Sequence, residues 1–141
     1  MPDITYTLEL SAVDWDEMKA AVQADDFDNG RTPGQLRLSF LNSYVACVAY
    51  ADGKMIGTAR ALSDGVGNAY IVDVWTYTPY RRQGIARRML ELLLEKLPGQ
   101  HVFLTTDDAA EFYRRVGFTE RGIGFEKVVG DYLVNASRTD S

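Results

Sequence analysis

The sequence has only one cysteine and one histidine among its 141 residues. A single cysteine excludes an internal disulfide and predicts a reducing compartment, for which we expect the cytoplasm. His101 has no second histidine with which to share a metal, so no metal site is expected. Cys47 lies in an apolar stretch, residues 44–50, and is interpreted as a core residue rather than a nucleophile.

Long apolar runs and an excess of positive charge are also missing. No segment approaches the length needed to cross a bilayer, and no basic-then-apolar leader opens the chain, so no membrane contact is expected. Fifteen Lys and Arg residues against twenty Asp and Glu give a formal charge of −5. A net negative charge repels nucleic acid, so we expect no nucleic-acid partner, although the chain can still carry a local basic patch.

Two common nucleotide-binding motifs are absent as well: Gly-x-Gly-x-x-Gly and the Gly-Lys-Ser/Thr loop. In their place, residues 69–97 read as a strand, a basic glycine turn and a long helix. Residues 70–77 are rich in β-branched and aromatic side chains, which predicts a strand buried on both faces. Pro79 closes this strand because it cannot donate to a sheet ladder.

The turn after this strand has the features of a diphosphate site. Gly84 and Ala86 let a ligand approach the backbone closely. The first turn of the following helix offers unpaired N–H groups and the positive end of the helix dipole. Formal positive charge comes from four arginines: Arg81, Arg82, Arg87 and Arg88. Apolar residues at helical spacing define the helix behind the turn: Ile85, Met89, Leu92, Leu93 and Leu97.

The first half of the chain predicts one strand, two helices and a hairpin. The opening strand covers residues 4–10. Asp14 caps the first helix, an acidic loop covers residues 25–30, and Thr32-Pro33 begins the second helix. Strands over 44–51 and 55–63 flank Asp52-Gly53-Lys54, which is a strong hairpin signal.

The second half continues past the long helix with strands over 101–105 and 125–134. Between them lies a short helix over 108–116, with Thr106 or Asp107 as its cap and Gly117 at its end. Residues 135–141 are expected to form a frayed tail. The order of elements predicts a mixed α/β sheet with helices on both sides, and we expect residues 1–141 to form one domain.

Two motifs in this order resemble the GNAT (GCN5-related N-acetyltransferase) family. Arg-x-x-Gly-x-Ala at residues 81–86, between a strand and a helix, is similar to the family's coenzyme A motif. Tyr113-x-x-x-Gly-Phe, 29 residues after Gly84, is similar to the end of its fourth helix. The resemblance implies a mostly antiparallel sheet of six to seven strands, splayed between the fourth and fifth, with about four helices on its two faces.

The resemblance also implies where acetyl-CoA would bind as co-substrate. Backbone groups of Val74 and Thr76, with Trp75 between them, would contact the pantetheine arm and the acetyl carbonyl. The residues expected at the diphosphate are Arg81, Arg82, Gln83, Gly84, Ile85, Ala86 and Arg87. Thr106 stands where the family often has asparagine, and it can still make a hydrogen bond.

Catalytic roles follow from the same resemblance. The hydroxyl of Tyr113 would lie near the thioester sulfur and protonate the departing thiolate; the alternative is a ring that only packs the helix. In several family members, the position of Tyr70 is occupied by a glutamate that acts as the general base. Asp73 is therefore the ionisable substitute, with the alternative that it only orders neighbouring groups.

These features predict an acetyl-CoA-dependent N-acetyltransferase in which a small primary amine attacks the thioester directly. Residues 59–65, with Asn68-Ala69 and Asp73-Val74, resemble the plant and cyanobacterial serotonin N-acetyltransferase subgroup and its bacterial relatives. The acidic loop over residues 25–30 would then favour a cationic amine, or else be a solvated loop. Rival functions are a non-catalytic acyl-CoA-binding module and acetylation of a protein or aminoacyl-tRNA. A homodimer is left open.

Overall fold

A computed structural model describes residues 2–135, in which four helices pack on a five-stranded sheet. The strands are β1 (Ile4–Thr7), β2 (Val45–Ala51), β3 (Lys54–Ser63), β4 (Asn68–Thr76) and β5 (His101–Phe103). The helices are α1 (Trp15–Ala24), α2 (Pro33–Leu41), α3 (Ile85–Leu94) and α4 (Ala110–Arg115). A 3-10 turn over Thr78–Tyr80 follows β4. This is the mixed α/β architecture that the sequence predicts.

The predicted helix starts are confirmed by their capping bonds. The Asp14 carboxylate accepts hydrogen bonds from the backbone N–H groups of Asp16 and Glu17. Thr32 and Gln35 form a reciprocal capping box, and Pro33 takes the first helical position. These caps fix where α1 and α2 begin.

The sheet runs in the order β1-β2-β3-β4-β5, and only the last pair is parallel. That pair is short, because only residues 68–70 of β4 align with residues 101–103 of β5. Beyond Tyr70, β4 continues to Thr76 without a ladder partner on the β5 side among the described residues. The predicted splay between the fourth and fifth strands is therefore present.

Alternate residues of β2 pack into two different hydrophobic cores, one on each face of the sheet. Ala46 and Val48 pack with Phe40 of α2 and with Trp75 on one face. Cys47 and Ala49 pack against α3 on the other face. Helices therefore cover both faces, and β4 is buried or half-buried along its whole length from Ala69 to Thr76. The prediction of a central strand covered on both faces is confirmed.

The predicted closing strand over residues 125–134 is wrong, and the described sheet has five strands instead of six or seven. Phe125 is 93% exposed and Val129 is 84% exposed, so the apolar residues that suggested a strand find no sheet partner. Gly130 and Leu133 have positive φ angles, which interrupt an extended conformation. The predicted frayed tail lies outside the described residues, apart from Asn135.

Other boundaries shift by a few residues. The opening strand ends at Thr7 rather than residue 10, and the fifth strand ends at Phe103 rather than residue 105. Helix α4 occupies only Ala110–Arg115, although the Thr106 hydroxyl does accept a 3.0 Å hydrogen bond from the Ala109 N–H at its start. No helix in residues 2–135 is long and apolar enough to cross a membrane.

Candidate active site

A bulge interrupts β4 at the residues where the sheet begins to splay. Val72 pairs with Arg60 of β3, and Trp75 pairs with Thr58. Two residues of β4, Asp73 and Val74, therefore lie opposite a single residue of β3. Asp73 has a φ of 58°, in the left-handed region. Bulges of this kind re-aim the residues that follow them. The bulge therefore lies at the start of the segment, Val74 to Thr76, that is expected to contact acetyl-CoA.

The Asp73 carboxylate is engaged by two arginines. The Arg31 guanidinium donates to both of its oxygens, at 2.8 and 3.1 Å, and Arg60 Nε donates to Oδ2 at 2.6 Å. Burial alone would raise the pKa of Asp73, but the hydrogen bonds and charges of the two arginines outweigh it and hold the pKa below its usual value. These contacts favour the ordering role for Asp73 over the role of general base.

The predicted diphosphate turn has an open, strained backbone. Arg82 and Gly84 have φ angles of 65° and 82°, and Gly84 caps α3 with no side-chain hydrogen bond to the first turn. A Cβ built on Gly84 would meet no heavy atom within 4 Å. The first-turn amides of Ile85, Ala86 and Arg87 lack intrahelical partners, as at any helix start. A polyanion therefore has both donors and space here.

The arginines around this turn are not equally available. Arg81 Nε donates to the Thr76 carbonyl at 3.0 Å, which ties the turn back to β4. Arg87 and Arg88 lie 3.6 and 3.3 Å from the carboxylate of Glu91, so part of their charge is balanced within α3. The backbone amides, rather than the helix arginines, are therefore the better-placed donors for a diphosphate.

Side chains of the last β4 residues point to different faces. Trp75 is 2% exposed and packs with the α1 and α2 core, where it stacks on Phe27 at 6.5 Å between ring centroids. Val74 packs on the opposite face, with the α3 core. The Thr76 hydroxyl is buried and makes no hydrogen bond to any described residue.

Tyr113 and Thr106 line one cavity of about 880 Å³ with β5 and residues 117–124. Tyr113 is half-buried and packs on an apolar cluster that includes Ile71 and Leu90 and is also contacted by Val74. Burial raises the pKa of the Tyr113 hydroxyl, and the nearby Asp108 carboxylate adds to the effect. The phenol is therefore protonated at neutral pH, as a proton donor must be.

The structure does not bring every predicted site residue to this cavity. Its walls include Thr106 and Tyr113, whereas none of residues 81–87 lines it. Those residues lie in and just before the first turn of α3, and no residue of β4, including 73–76, lines this cavity either. The predicted site residues therefore do not share a single pocket.

The acidic loop proves to be tied into the protein. The Asp25 carboxylate accepts hydrogen bonds from Trp75 Nε1 and from the backbone N–H and hydroxyl of Thr78, all at 3.0 Å. Asp28 pairs with Lys19 at 2.5 Å, and that hydrogen bond lowers its pKa. Neither carboxylate is thus free to attract a cationic amine, and the loop is not simply solvated either.

Arg31 is the site residue that the sequence reasoning missed. It is 5% exposed, and its partner Asp73 lies 42 residues away in the chain. A basic residue at the end of an acidic loop is the only local signal, and that pattern ordinarily indicates a solvent-exposed ion pair. The contact could be found only once the fold placed the loop beside β4.

A splayed sheet, a bulged central strand and an open glycine turn at the start of a helix are the arrangement expected of the acyl-CoA-dependent acetyltransferases. Residues 8–118 match the family model described as the acetyltransferase (GNAT) family. The chain therefore belongs to the GNAT acetyltransferases, which use acetyl-CoA as co-substrate.

Similar proteins are found among both sequences and structures. Histone acetyltransferase TAP1 of soybean (Glycine max) is 36% identical over 69 residues, which make up 46% of this chain and 30% of that protein. The chain thus matches less than a third of the length of this curated relative. A Deinococcus radiodurans structure described as an acetyltransferase is 26% identical, with a TM-score of 0.76 over 89% of this chain and 88% of that one.

A second solved structure supports the fold alone. It is a GNAT-family protein from Xanthomonas campestris pv. campestris, 24% identical, with a TM-score of 0.77 over 92% of this chain and 95% of that one. The likeness extends over nearly the whole of both chains, so the five-stranded sheet and four helices described above follow a known arrangement.

Proposed function

We propose that the protein transfers the acetyl group of acetyl-CoA to a primary amine of a small molecule. The observation that carries this proposal is the continuous edge from β4 to α3. Residues 71–76 of β4 have no described partner on the β5 side, and the strand leads through Gly84 into the open first turn of α3. An extended pantetheine arm and its diphosphate would occupy these two parts in turn.

Direct attack by the amine agrees with the chemistry of the chain. An acyl-enzyme route through a cysteine thiolate would need Cys47, the only cysteine in the sequence. Cys47 is fully buried in the sheet, and burial raises its pKa to about 12. Its thiolate is therefore scarce and inaccessible at neutral pH. The amine nitrogen itself would form the new bond to the acetyl carbonyl carbon as the carbon–sulfur bond breaks.

Tyr113 is proposed as the general acid. Its protonated hydroxyl would deliver the proton that the departing coenzyme A thiolate needs, while the attacking amine loses its own proton to solvent. The raised pKa of the phenol keeps it in the donating form across the neutral range. A proton donor at this position favours an enzyme over a non-catalytic acyl-CoA-binding module on the same fold, because a binding module would need no general acid.

The acidic charge of the chain favours an amine over a nucleic acid as acceptor. At a formal charge of −5, a tRNA would meet net repulsion outside the basic turn. The soybean relative carries the name of a histone acetyltransferase, so a basic peptide is the second acceptor to compare. Neither Asp25 nor Asp28 supports the choice, since both are held inside the protein.

The test joins a binding measurement to a turnover measurement. Acetyl-CoA at about 100 times its dissociation constant should stabilise the fold by about 2.7 kcal/mol. Release of free thiol would then be followed with a panel of small amines, a lysine-rich peptide and an aminoacyl-tRNA. Faster turnover with a small amine supports the proposal. Binding without turnover on any acceptor would indicate a binding module, and faster turnover with the peptide or tRNA would overturn the small-molecule assignment.

A further inference from the structure

Three residues from two elements, the α1–α2 loop and β3, contact Asp73 through polar groups. Arg31 reaches it from the loop between α1 and α2, and Arg60 from β3. The Thr58 hydroxyl donates to the Asp73 carbonyl oxygen at 2.9 Å. Arg31 and Asp73 are 5% and 9% exposed. The side chain and the backbone of the bulge residue are thus both held.

The two arginines are fixed in turn by groups outside the bulge. Arg31 Nε donates to the Asp28 carbonyl oxygen at 3.1 Å. One terminal nitrogen of Arg60 lies 3.3 Å from both the Ser39 carbonyl and the Ser43 hydroxyl, at the end of α2. The Arg31–Asp73–Arg60 cluster therefore links the α1–α2 loop, α2, β3 and β4 into one hydrogen-bonded unit.

The backbone at Asp73 needs such support. Aspartate tolerates a left-handed conformation better than most residues, but within a strand and between two β-branched residues, Val72 and Val74, it is still less favourable than regular extended backbone. Without its partners, the strand would be expected to relax toward regular pairing with β3. Regular pairing would turn Val74 and the residues after it away from their present direction.

We propose that Asp73 is a positioning residue for acetyl transfer: held by Arg31 and Arg60, it maintains the bulge that presents the Val74 backbone to the gap between β4 and β5. The inference rests on the proposed function, since that gap is where the acetyl carbonyl would lie. Asp73 itself takes no proton from the amine. It acts through the conformation of the strand, and the two arginines act through Asp73.

The test uses Asp73→Asn, which keeps the shape and the tolerance for a left-handed conformation but removes the charge. Asp52→Asn is the matched control, because Asp52 also has a left-handed φ, of 50°, and accepts a backbone hydrogen bond, from Asp3, in the β2–β3 hairpin. We expect kcat for the best amine of the panel to fall by about 100-fold in Asp73→Asn, as for a misplaced reacting group. The KM for acetyl-CoA should change less than about threefold, and the control should resemble the parent.

The kinetics of Asp73→Asn distinguish the positioning role from the roles of general base and of purely structural residue. If Asp73 has a positioning role, kcat/KM of Asp73→Asn should fall at the same low pH as in the parent, and only its plateau value should be lower. Disappearance of that fall at low pH would make Asp73 the general base. An unchanged kcat in folded Asp73→Asn would reduce it to a structural residue. Either result overturns the proposal.

A second variant and a second readout keep the proposal testable if the first variant fails to fold or the parent shows no turnover. Arg31→Lys keeps the charge but loses the two-oxygen contact, and a fall in kcat without a change in KM is expected there as well. The backbone amide resonance of Val74 should shift when acetyl-CoA is added to the parent, and the shift should shrink in Arg31→Lys. Inactivity of the parent on every acceptor would refute the proposed function alone. An unmoved or unaltered Val74 signal would refute the positioning role.

Discussion

The Asp25 carboxylate accepts a 3.0 Å hydrogen bond from the indole nitrogen of Trp75, 50 residues further along the chain. The same carboxylate also holds Thr78, just beyond the end of β4. Asp73 makes the opposite connection, from β4 back to Arg31 at the far end of the same loop. The α1–α2 loop is therefore attached to the central strand at both of its ends.

Replacing Asp25 by asparagine should weaken the fold. Its two oxygens accept three hydrogen bonds, which asparagine would retain only as weaker, uncharged ones, and the ion pair with Arg81 at 3.7 Å would be lost. We expect the free energy of unfolding in urea to fall by about 1–3 kcal/mol. Asp26→Asn is the control, because Asp26 is exposed and also has a left-handed φ, so its loss should stay within about 0.5 kcal/mol. Equal losses in both variants would contradict the assigned role of Asp25.

Gly84 and Gly53 form a matched pair for testing the diphosphate turn. Both have a φ of 82°, and a Cβ on either would meet no atom within 4 Å. Asparagine tolerates this conformation, so Gly84→Asn and Gly53→Asn should lose similar, small amounts of stability. Only Gly84→Asn should lose the thermal stabilisation given by acetyl-CoA, because only there would the side chain meet the ligand. Normal stabilisation of Gly84→Asn would place the diphosphate elsewhere.

Tyr113→Phe removes the proposed acid and keeps the ring. The melting temperature and the affinity for acetyl-CoA should hardly change, since the ring provides the packing against Phe112 and Phe118. Turnover should fall by roughly 100-fold. In the parent, loss of activity from ionisation of Tyr113 should begin at a higher pH than for an ordinary tyrosine, because its pKa is raised. Turnover within a few-fold of the parent would show that the hydroxyl only packs.

The stability of the protein in acid should report the Asp73 ion pairs. The pKa of Asp73 is lowered on folding, so its contribution is complete above the unfolded value of about 4 and is lost as the pH falls through the folded value. At pH 7, Asp73→Asn should be less stable than the parent by about 3–5 kcal/mol, because two buried arginines lose their partner. Urea titrations from pH 7 to pH 3 should show this difference shrinking below about pH 4; a constant difference would contradict it.

Cys47 should be unreactive in the native protein. It is fully buried and its pKa is raised to about 12, so neither access nor ionisation favours attack on a thiol reagent. A colorimetric disulfide reagent should detect no thiol in the folded chain and one per chain after unfolding in guanidinium. Rapid reaction of the native protein would contradict the buried position of Cys47.

Local patterns in the sequence predict the elements whose partners lie nearby in the chain. Asp14, Thr32-Pro33 and the Asp52-Gly53 hairpin are such cases, since each turn or cap is completed within a few residues. The strand–turn–helix around Gly84 is another. Its backbone conformation follows from the glycine itself, and the helix from its apolar spacing.

Other features depend on partners that local patterns do not specify. Phe125 to Val134 has the composition of a strand, but a strand needs an edge to pair with, and the described fold leaves this segment exposed. The contact of Asp73 with Arg31 joins residues 42 positions apart, and that of Asp25 with Thr78 joins residues 53 positions apart. The sequence could nominate Asp73 as an ionisable group near the site, but only the fold shows that arginines neutralise it.

The double attachment of the α1–α2 loop also bears on how such a chain can change over evolution. Loops usually diversify by gaining or losing residues, because their length is weakly constrained. Here the distance between Asp25 and Arg31 is set by β4, so an insertion would detach one end or the other. Variation in this loop would then arise by exchange of side chains at exposed positions such as Asp26 and Asn29, with the number of residues unchanged.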